Sequence, residues 1–212
     1  MNKTRLFLGI LIFGSIWGFS ECVIGSVFND AGLPTGELMV GFFAITFLVI
    51  SRIYYRQPGM QIGMGLVAGT LRLFNPMGCN LCSAIAILAE GAIFELIWYR
   101  LSFDLTELKS LTMQVSMGII TSYSVFIFGY IITQILSPIV AGTGFFINNL
   151  LVIMPNILAG GILPALIGGF VLPTVLLIKR LDLSLKDRIY YPTTIGISFI
   201  CWFIVIGNWL LA

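Results

Sequence analysis

Long apolar stretches, separated by short polar segments, follow one another along almost the whole chain. Several of them approach the roughly 20 residues that a helix needs to cross the hydrocarbon core of a bilayer. The strict alternation of apolar and polar residues that is typical of outer-membrane β-strands is missing. The pattern therefore predicts an all-α integral membrane protein, a bundle of about seven transmembrane helices. The predicted spans are residues 5–28, 36–55, 59–74, 79–99, 111–136, 157–179 and 193–211.

The composition also favours a membrane protein. Hydrophobic residues make up 58% of the 212 residues and charged residues 9%, and the mean hydropathy is +1.05, far above that of a soluble domain. We expect a single transmembrane helical domain, residues 1–212, in the cytoplasmic (inner) membrane. The first apolar run contains Trp17, Glu21 and several glycines rather than a small-residue cleavage site. We therefore expect it to be retained as a span and not removed as a signal peptide.

Lysine and arginine are concentrated before the first predicted span and after the second, fourth and sixth. Because positively charged loops stay in the cytoplasm, this distribution predicts a cytoplasmic N-terminus and an external C-terminus. Arg72 is the exception, since it falls at the outer end of the third predicted span. The longest outer connection includes residues 140–156. We interpret this segment as a lid or a re-entrant piece over an outer opening, with an ordinary surface loop as the alternative.

Two absences from the sequence limit the chemistry of this chain. The chain has no histidine, which excludes bis-histidine haem, histidine-containing zinc and non-haem iron sites, and serine–histidine or cysteine–histidine nucleophile pairs within it. It also lacks the Gly-x-x-x-x-Gly-Lys-Ser/Thr sequence of a nucleotide-binding loop. We therefore expect no enzyme, no cofactor and no metal. The net charge of +2 gives no indication of nucleic acid as a partner.

Three carboxylates, those of Glu21, Glu90 and Glu95, fall inside predicted spans. A charge within the bilayer costs a few kcal/mol, so such residues tend to face the bundle interior or a wet cavity. Glu21 and Arg72 have a similar predicted depth and could pair, either as a link between helices or as part of a ligand site. Glu95 lies nearer the cytoplasmic rim, and we expect it to extend towards Arg100.

The fourth predicted span places small and polar residues on one helical face. Steps of about 100° per residue align Cys79, Ser83, Ala86 and Glu90. Small residues beside a few converging polar groups are what a small-molecule site needs. Trp17, on the first span, could stack on a planar ligand or anchor the helix at the membrane interface. The candidate ligand-binding residues are Glu21, Arg72, Ser83, Glu90, Trp17 and Asn80.

Cys79 and Cys82 form a Cys-x-x-Cys pair in the first turn of the fourth predicted helix. Unpaired amide groups at a helix N-terminus activate a thiol, and the predicted external location permits a disulfide, so the pair is a candidate redox centre. Quinone-coupled thiol oxidoreductases of the membrane relay electrons through a second cysteine pair, however, and Cys22 and Cys201 lie in separate spans. Structural thiols or a local disulfide are the alternative, and the different depth of Cys201 argues against a four-thiolate metal site.

The short glycine-rich spans, the outer loop NDAGLPTGE and the stretch GMGLVAGTLRLFNPMGCNLCSAIAILAEG belong to a pattern that covers roughly the first 180 residues. In this pattern and in its size the chain resembles the S components of energy-coupling-factor (ECF) transporters. These small membrane subunits capture vitamins and related micronutrients for an ATP-driven module. The resemblance implies a bundle of six spans, here with a seventh added, and a transmembrane coupling protein and ATPases as partners. S components dock on such partners through small-residue motifs, and the candidate counterparts are Gly14, Gly18, Gly65, Ala68 and Gly69.

Three functions remain open from the sequence. The first is a substrate-binding subunit for uptake of a small vitamin-like molecule, energised by a partner ATPase module, with an outward pocket between the first, third, fourth and sixth spans. The second is an accessory or scaffold subunit of a larger membrane complex, including a redox complex. The third is a membrane thiol-disulfide oxidoreductase that uses Cys79 and Cys82.

Overall fold

The computed structural model describes residues 3–74, 80–101, 104–140, 147–178 and 187–211, and all regular secondary structure in these ranges is helical. The helices are α1 (Lys3–Asp30), α2 (Thr35–Tyr54), α3 (Met60–Arg72), α4 (Asn80–Arg100), α5 (Leu111–Val140), α6 (Ile147–Gly160), α7 (Ile162–Ile178) and α8 (Asp187–Leu211). Within α2, residues Met39–Ala44 form a π-helical segment. A short 3₁₀ turn, Leu105–Glu107, follows α4. The prediction of an all-α fold is confirmed.

Six stretches among the described residues have the length and hydropathy of membrane spans. They are Lys3–Asp30, Thr35–Tyr54, Leu81–Arg100, Leu111–Val140, Leu150–Ile178 and Tyr190–Leu211. Large apolar side chains cover the outside of the bundle, for example Val152, Phe170 and Phe203, which are 77%, 78% and 69% exposed. Apolar surface of this extent is unusual on a water-soluble protein. The fold is therefore consistent with a multi-pass membrane protein.

The third predicted span is shorter than the others. α3 has 13 residues, which is about 20 Å at the rise of an α-helix, whereas the hydrocarbon core is about 30 Å thick. The helix begins after Gly59, whose φ of 86° lies in the left-handed region that glycine adopts without steric cost. Regular helix covers residues 60–72 of the apolar run 59–74, so α3 is too short to be one of the six long spans.

Contacts between helix ends define one end of the bundle. The hydroxyl groups of Tyr55 and Tyr190 share a hydrogen bond, and the Arg5 guanidinium lies 5.5 Å from the centroid of the Tyr190 ring. The Glu95 carboxylate, near the end of α4, accepts a hydrogen bond from the amide of Gly59. The starts of α1, α3 and α8 and the ends of α2 and α4 are therefore neighbours. Which side of the membrane this end faces stays a prediction.

Glycines allow α3 to pack closely between α1 and α4. A Cβ atom added to Gly18 would lie 2.9 Å from Ala68 Cα, and one added to Gly69 would lie 2.9 Å from the carbonyl oxygen of Ala84. Gly14 and Gly65 likewise face other helices of the chain, and added Cβ atoms would meet Val67 and Ile87 at 2.7 Å and 3.0 Å. The small residues considered above as docking motifs are thus used for packing within the chain.

α5 and α7 approach each other at a second glycine pair. A Cβ atom on Gly118 would lie 2.3 Å from the carbonyl oxygen of Gly168. Beside this contact, the Ser122 hydroxyl donates a hydrogen bond of 2.8 Å to the carbonyl oxygen of Pro164. Small residues and hydroxyl-to-carbonyl hydrogen bonds are typical of helix pairs in membranes.

Glu95, on the neighbouring helix α4, caps the N-terminus of α3. Its carboxylate is 6% exposed and accepts hydrogen bonds from the amides of Gly59, Gln61 and Ile62, the last two at 3.1 Å. The first amides of a helix have no partner within it. A negative charge at this end also interacts favourably with the positive end of the helix dipole. The expectation that Glu95 extends towards Arg100 is therefore wrong, because the carboxylate is hydrogen-bonded to the amides at the start of α3.

Asp104 links the end of α2 to the connection after α4. Its two carboxylate oxygens lie 3.5 Å from Arg52 Nε and 3.0 Å from Arg56 Nε. Arg52 is buried, and its Nη2 also donates to the carbonyl oxygen of Trp98 at 3.3 Å. This cluster joins α2 and α4 at the end of the bundle defined by Tyr55 and Tyr190.

The segment interpreted as a lid or re-entrant piece, residues 140–156, is helical where the structure describes it. Residues 141–146 lie outside the described part, and the remainder belongs to α5 and α6. α6 passes into α7 through a turn at Gly161 and packs against α5 and α7.

Candidate functional site

Three neighbouring cavities lie between the first six helices. The first cavity, about 300 Å³, is bounded by α1, α2, α3 and α4. The second cavity, about 310 Å³, lies between α2, α4 and α5. The third cavity, about 390 Å³, lies between the start of α2, α5 and α6. The sequence predicts a pocket between the first, third, fourth and sixth spans. In the structure, α2 and not the sixth predicted span is the fourth helix that borders the first cavity.

The face of α4 predicted from helical spacing is the wall that the first and second cavities share. Ser83, Ala86 and Glu90 border both cavities, together with Gly36 and Val40 of α2. The α4 residues are three and four positions apart, so they align on one side of the helix. One wall therefore presents a hydroxyl and a carboxylate to two cavities.

Glu90 is the most unusual residue of this wall. It is 5% exposed, and its Oε2 atom has no hydrogen-bond partner among the described residues. Gly129 of α5 faces it, where an added Cβ atom would lie 3.2 Å from Glu90 Cγ, so the side chain fills space left by the missing methyl group. Buried polar atoms in folded proteins nearly always have a partner. Glu90 thus keeps a buried carboxyl oxygen without a partner among the described residues, next to the wall that the two cavities share.

Glu21 and Arg72 meet at the first cavity, but mainly through the main chain. Arg72 Nη1 donates to the main-chain carbonyl oxygen of Glu21 at 3.3 Å, while the Glu21 carboxylate accepts from the indole nitrogen of Trp17 at 3.2 Å. The Arg72 and Glu21 side chains, and those of Glu21 and Glu90, are close enough to interact electrostatically. Arg72 Nε has no partner among the described residues, so the guanidinium keeps a free donor.

Trp17 is placed differently from the expectation that it stacks on a ligand. Its side chain is fully buried, and it does not border the first cavity. Its ring lies behind Glu21, where the indole hydrogen bond orients the carboxylate. Trp17 therefore supports the wall instead of forming it.

The π-helical segment of α2 supplies the opposite wall. Met39 and Val40, at its beginning, border the first cavity, and Gly41 packs against α7, where an added Cβ atom would lie 2.9 Å from Pro164 Cα. Single π-helical segments inside α-helices occur frequently at functional sites. Here the segment places two apolar side chains opposite the polar face of α4.

Sequence reasoning missed the part of the site formed by α5 and the start of α2. Glu37, Tyr130 and Gln134 border both the second and the third cavity. Thr133 borders the second cavity as well, so α5 carries polar groups three and four positions apart on one face. That spacing inside an apolar span is the sequence signal that could have identified these residues.

The cysteines fall into two groups. Cys82 is disulfide-bonded and borders the second cavity, while Cys22 and Cys201 are buried cysteines outside any disulfide, and the Cys22 thiol donates to the carbonyl oxygen of Leu71 at 3.7 Å. Cys79 lies outside the described residues, and Asn80 is the first residue of α4, without a described side chain. Among the described residues no group of three or more histidine, cysteine or acidic side chains could hold a metal ion.

The cavities together present carboxylates, one guanidinium, hydroxyl groups and aromatic rings on rigid helices. Such an arrangement can bind a small polar molecule, and its acceptors outnumber its cationic donors. Protein-family models, curated proteins and solved structures contain no match to this chain. Function is therefore inferred from the geometry of the cavities.

Proposed function

We propose that this protein is the membrane-embedded substrate-binding subunit of an uptake system for a small vitamin-like molecule, and that it is not itself an enzyme. The observation that carries the proposal is Glu90, a buried residue that borders two cavities and whose Oε2 atom has no hydrogen-bond partner among the described residues. A buried acceptor without a partner destabilises the empty protein by about 1–3 kcal/mol. A ligand that supplies the missing donor recovers this free energy on binding.

The size and position of the cavities support the same function. Each is about 300–400 Å³, at the lower end of the range for small-molecule sites. The residues that border them come from long helices, which hold a binding site in a fixed geometry. The proposed partners follow from the resemblance to ECF S components, namely a transmembrane coupling protein and ATPases in the cytoplasmic membrane.

The test is to purify the full chain in detergent, identify the small molecules that it carries by mass spectrometry, and titrate each into the ligand-free protein. Glu90→Gln keeps the shape of the side chain and removes its charge, so we expect binding weaker by about tenfold or more. Glu107→Gln, on an exposed residue away from the cavities, is the matched control and should bind as the original does. Equal affinity of the Glu90→Gln variant would contradict the proposal, and stoichiometric recovery of large partners without any small molecule would favour the scaffold alternative.

The Cys82 disulfide supports one second candidate, the thiol-disulfide oxidoreductase. Cys82 borders the second cavity, where a substrate thiol could approach it. Replacing Cys82 with Ser separates the two functions, because a substrate-binding subunit retains measurable ligand binding although Cys82 borders the second cavity, whereas an oxidoreductase loses all exchange activity. Thiol exchange with a reduced peptide substrate is the measurement.

A further inference from the structure

Carboxyl groups outnumber basic groups among the described residues that border the cavities. Three carboxylates border them, those of Glu21, Glu37 and Glu90, against one cationic side chain, that of Arg72. Arg72 borders the first cavity only, where it is already held by the carbonyl oxygen of Glu21. No lysine or arginine among the described residues borders the second or third cavity, so Glu37 and Glu90 have no positive counterpart there.

Glu90 is the carboxyl group for which a positively charged or hydrogen-bonding partner matters most. A carboxylate that is 5% exposed and lacks a partner at Oε2 is costly inside a membrane protein unless a positive group or a hydrogen-bond donor reaches it. The neighbouring Glu21 carboxylate is close enough to add repulsion. A cation in the second cavity, which Glu90 borders, would offset this repulsion and the cost of burying the carboxyl group.

Aromatic rings complete the surroundings of the second cavity. Phe126 and Tyr130 of α5 border it, and their ring centroids are 5.9 Å apart. The faces of aromatic rings attract cations, most strongly where water is excluded. Carboxylates beside aromatic rings suit an organic cation better than a metal ion, which needs several oxygen ligands around one point.

We propose that the ligand is a small organic cation, whose positively charged nitrogen lies in the second cavity between Glu90 and Glu37 and against the ring of Tyr130. This inference rests on the proposed function and names the substrate class of the same site. The cavity of about 310 Å³ limits the cationic part to a single ring or a short branched amine. The first cavity, which Arg72 borders, would hold a neutral or oxygen-bearing part of the same molecule.

The experiment uses the full chain purified in detergent, and the variants Glu90→Gln, Glu37→Gln, Tyr130→Phe and Tyr130→Leu, with Glu107→Gln as control. Small molecules released from each protein are compared by mass spectrometry, and benzylamine, benzyltrimethylammonium and neutral benzyl alcohol are titrated as defined probes. We expect an enriched compound that is cationic at pH 7, reduced at least tenfold in Glu90→Gln. We also expect the two cationic probes to bind more tightly than the alcohol.

The tyrosine variants separate an aromatic contact from a hydrogen bond. Tyr130→Phe keeps the ring and should retain the affinity for the cationic probes, whereas Tyr130→Leu should weaken it about threefold to thirtyfold. Size-exclusion profiles identical to that of the original protein show that the variants fold.

The outcomes distinguish this inference from the proposed function. A neutral or anionic compound whose binding needs Glu90 would overturn the organic cation and leave the substrate-binding subunit standing. Absence of any enriched compound, together with no binding of the probes at millimolar concentration, would overturn both.

Discussion

Glu90 and Glu95 are residues of the same helix, buried to the same degree, with opposite surroundings. Their exposed fractions are 5% and 6%. The Glu95 carboxylate accepts three main-chain hydrogen bonds, whereas Glu90 Oε2 has no partner among the described residues. Glu95 therefore stabilises the fold, whereas Glu90 has a buried oxygen whose missing hydrogen bond costs free energy.

Replacing each of these residues with glutamine should separate the two roles. Glu95→Gln should lower the free energy of unfolding by about 1–3 kcal/mol, because the amides at the start of α3 lose a charged acceptor and meet an amide donor. Glu90→Gln should leave the ligand-free protein within about 0.5 kcal/mol of the original. Thermal unfolding of both purified variants is the measurement, and a larger loss for Glu90→Gln than for Glu95→Gln would contradict the assignment.

At the scale of helices, hydropathy predicts the long spans, but it does not predict what stabilises the start of α3. The transmembrane runs are visible because lipid exposure requires apolar residues over a length set by the bilayer. The apolar run 59–74 looks the same in sequence, but its N-terminal amides are satisfied by a residue 33–36 positions away. No local pattern contains that partner. The helical period, by contrast, was sufficient to align Ser83, Ala86 and Glu90 on one wall.

The glycine contact between α5 and α7 gives a prediction for a helix pair. Gly118→Ala places a methyl group 2.3 Å from the Gly168 carbonyl oxygen, so the backbones have to separate, at a cost of about 1–3 kcal/mol. Gly196→Ala is the matched control, because an added Cβ atom on α8 meets nothing within 4 Å and alanine favours a helix by about 1 kcal/mol. We expect the melting temperature to fall for the first variant and to stay or rise for the second. Equal melting temperatures would mean that α5 and α7 are not packed at this glycine.

At the scale of the whole molecule, the contacts of Arg5, Tyr55 and Tyr190 place the starts of α1 and α8 at the same end of the bundle. α8 continues to Leu211 over 25 residues, about 37 Å at the rise of an α-helix, and so ends at the opposite end. An odd number of crossings would follow from this geometry, so the predicted seven spans, with α3 as one of them, stay a prediction.

Reporter tags placed before Lys3 and after Leu211 test this arrangement. We expect protease added from outside intact cells to remove the second tag and to spare the first, in line with the distribution of positive charges. If only the six long stretches crossed the membrane, both tags would lie on the same side, and protease would remove both or neither.

The hydrogen bonds between the Glu95 carboxylate and the start of α3 also constrain the order in which the helices enter the membrane during synthesis. α3 is made before α4, yet three of its amide groups remain without their acceptor until residue 95 has left the ribosome. Unsatisfied amides are expensive in lipid, and a helix of 13 residues is too short to be held there by its own hydrophobicity. We therefore expect α3 to wait at the insertion machinery and to enter the bilayer together with α4, as a helical hairpin.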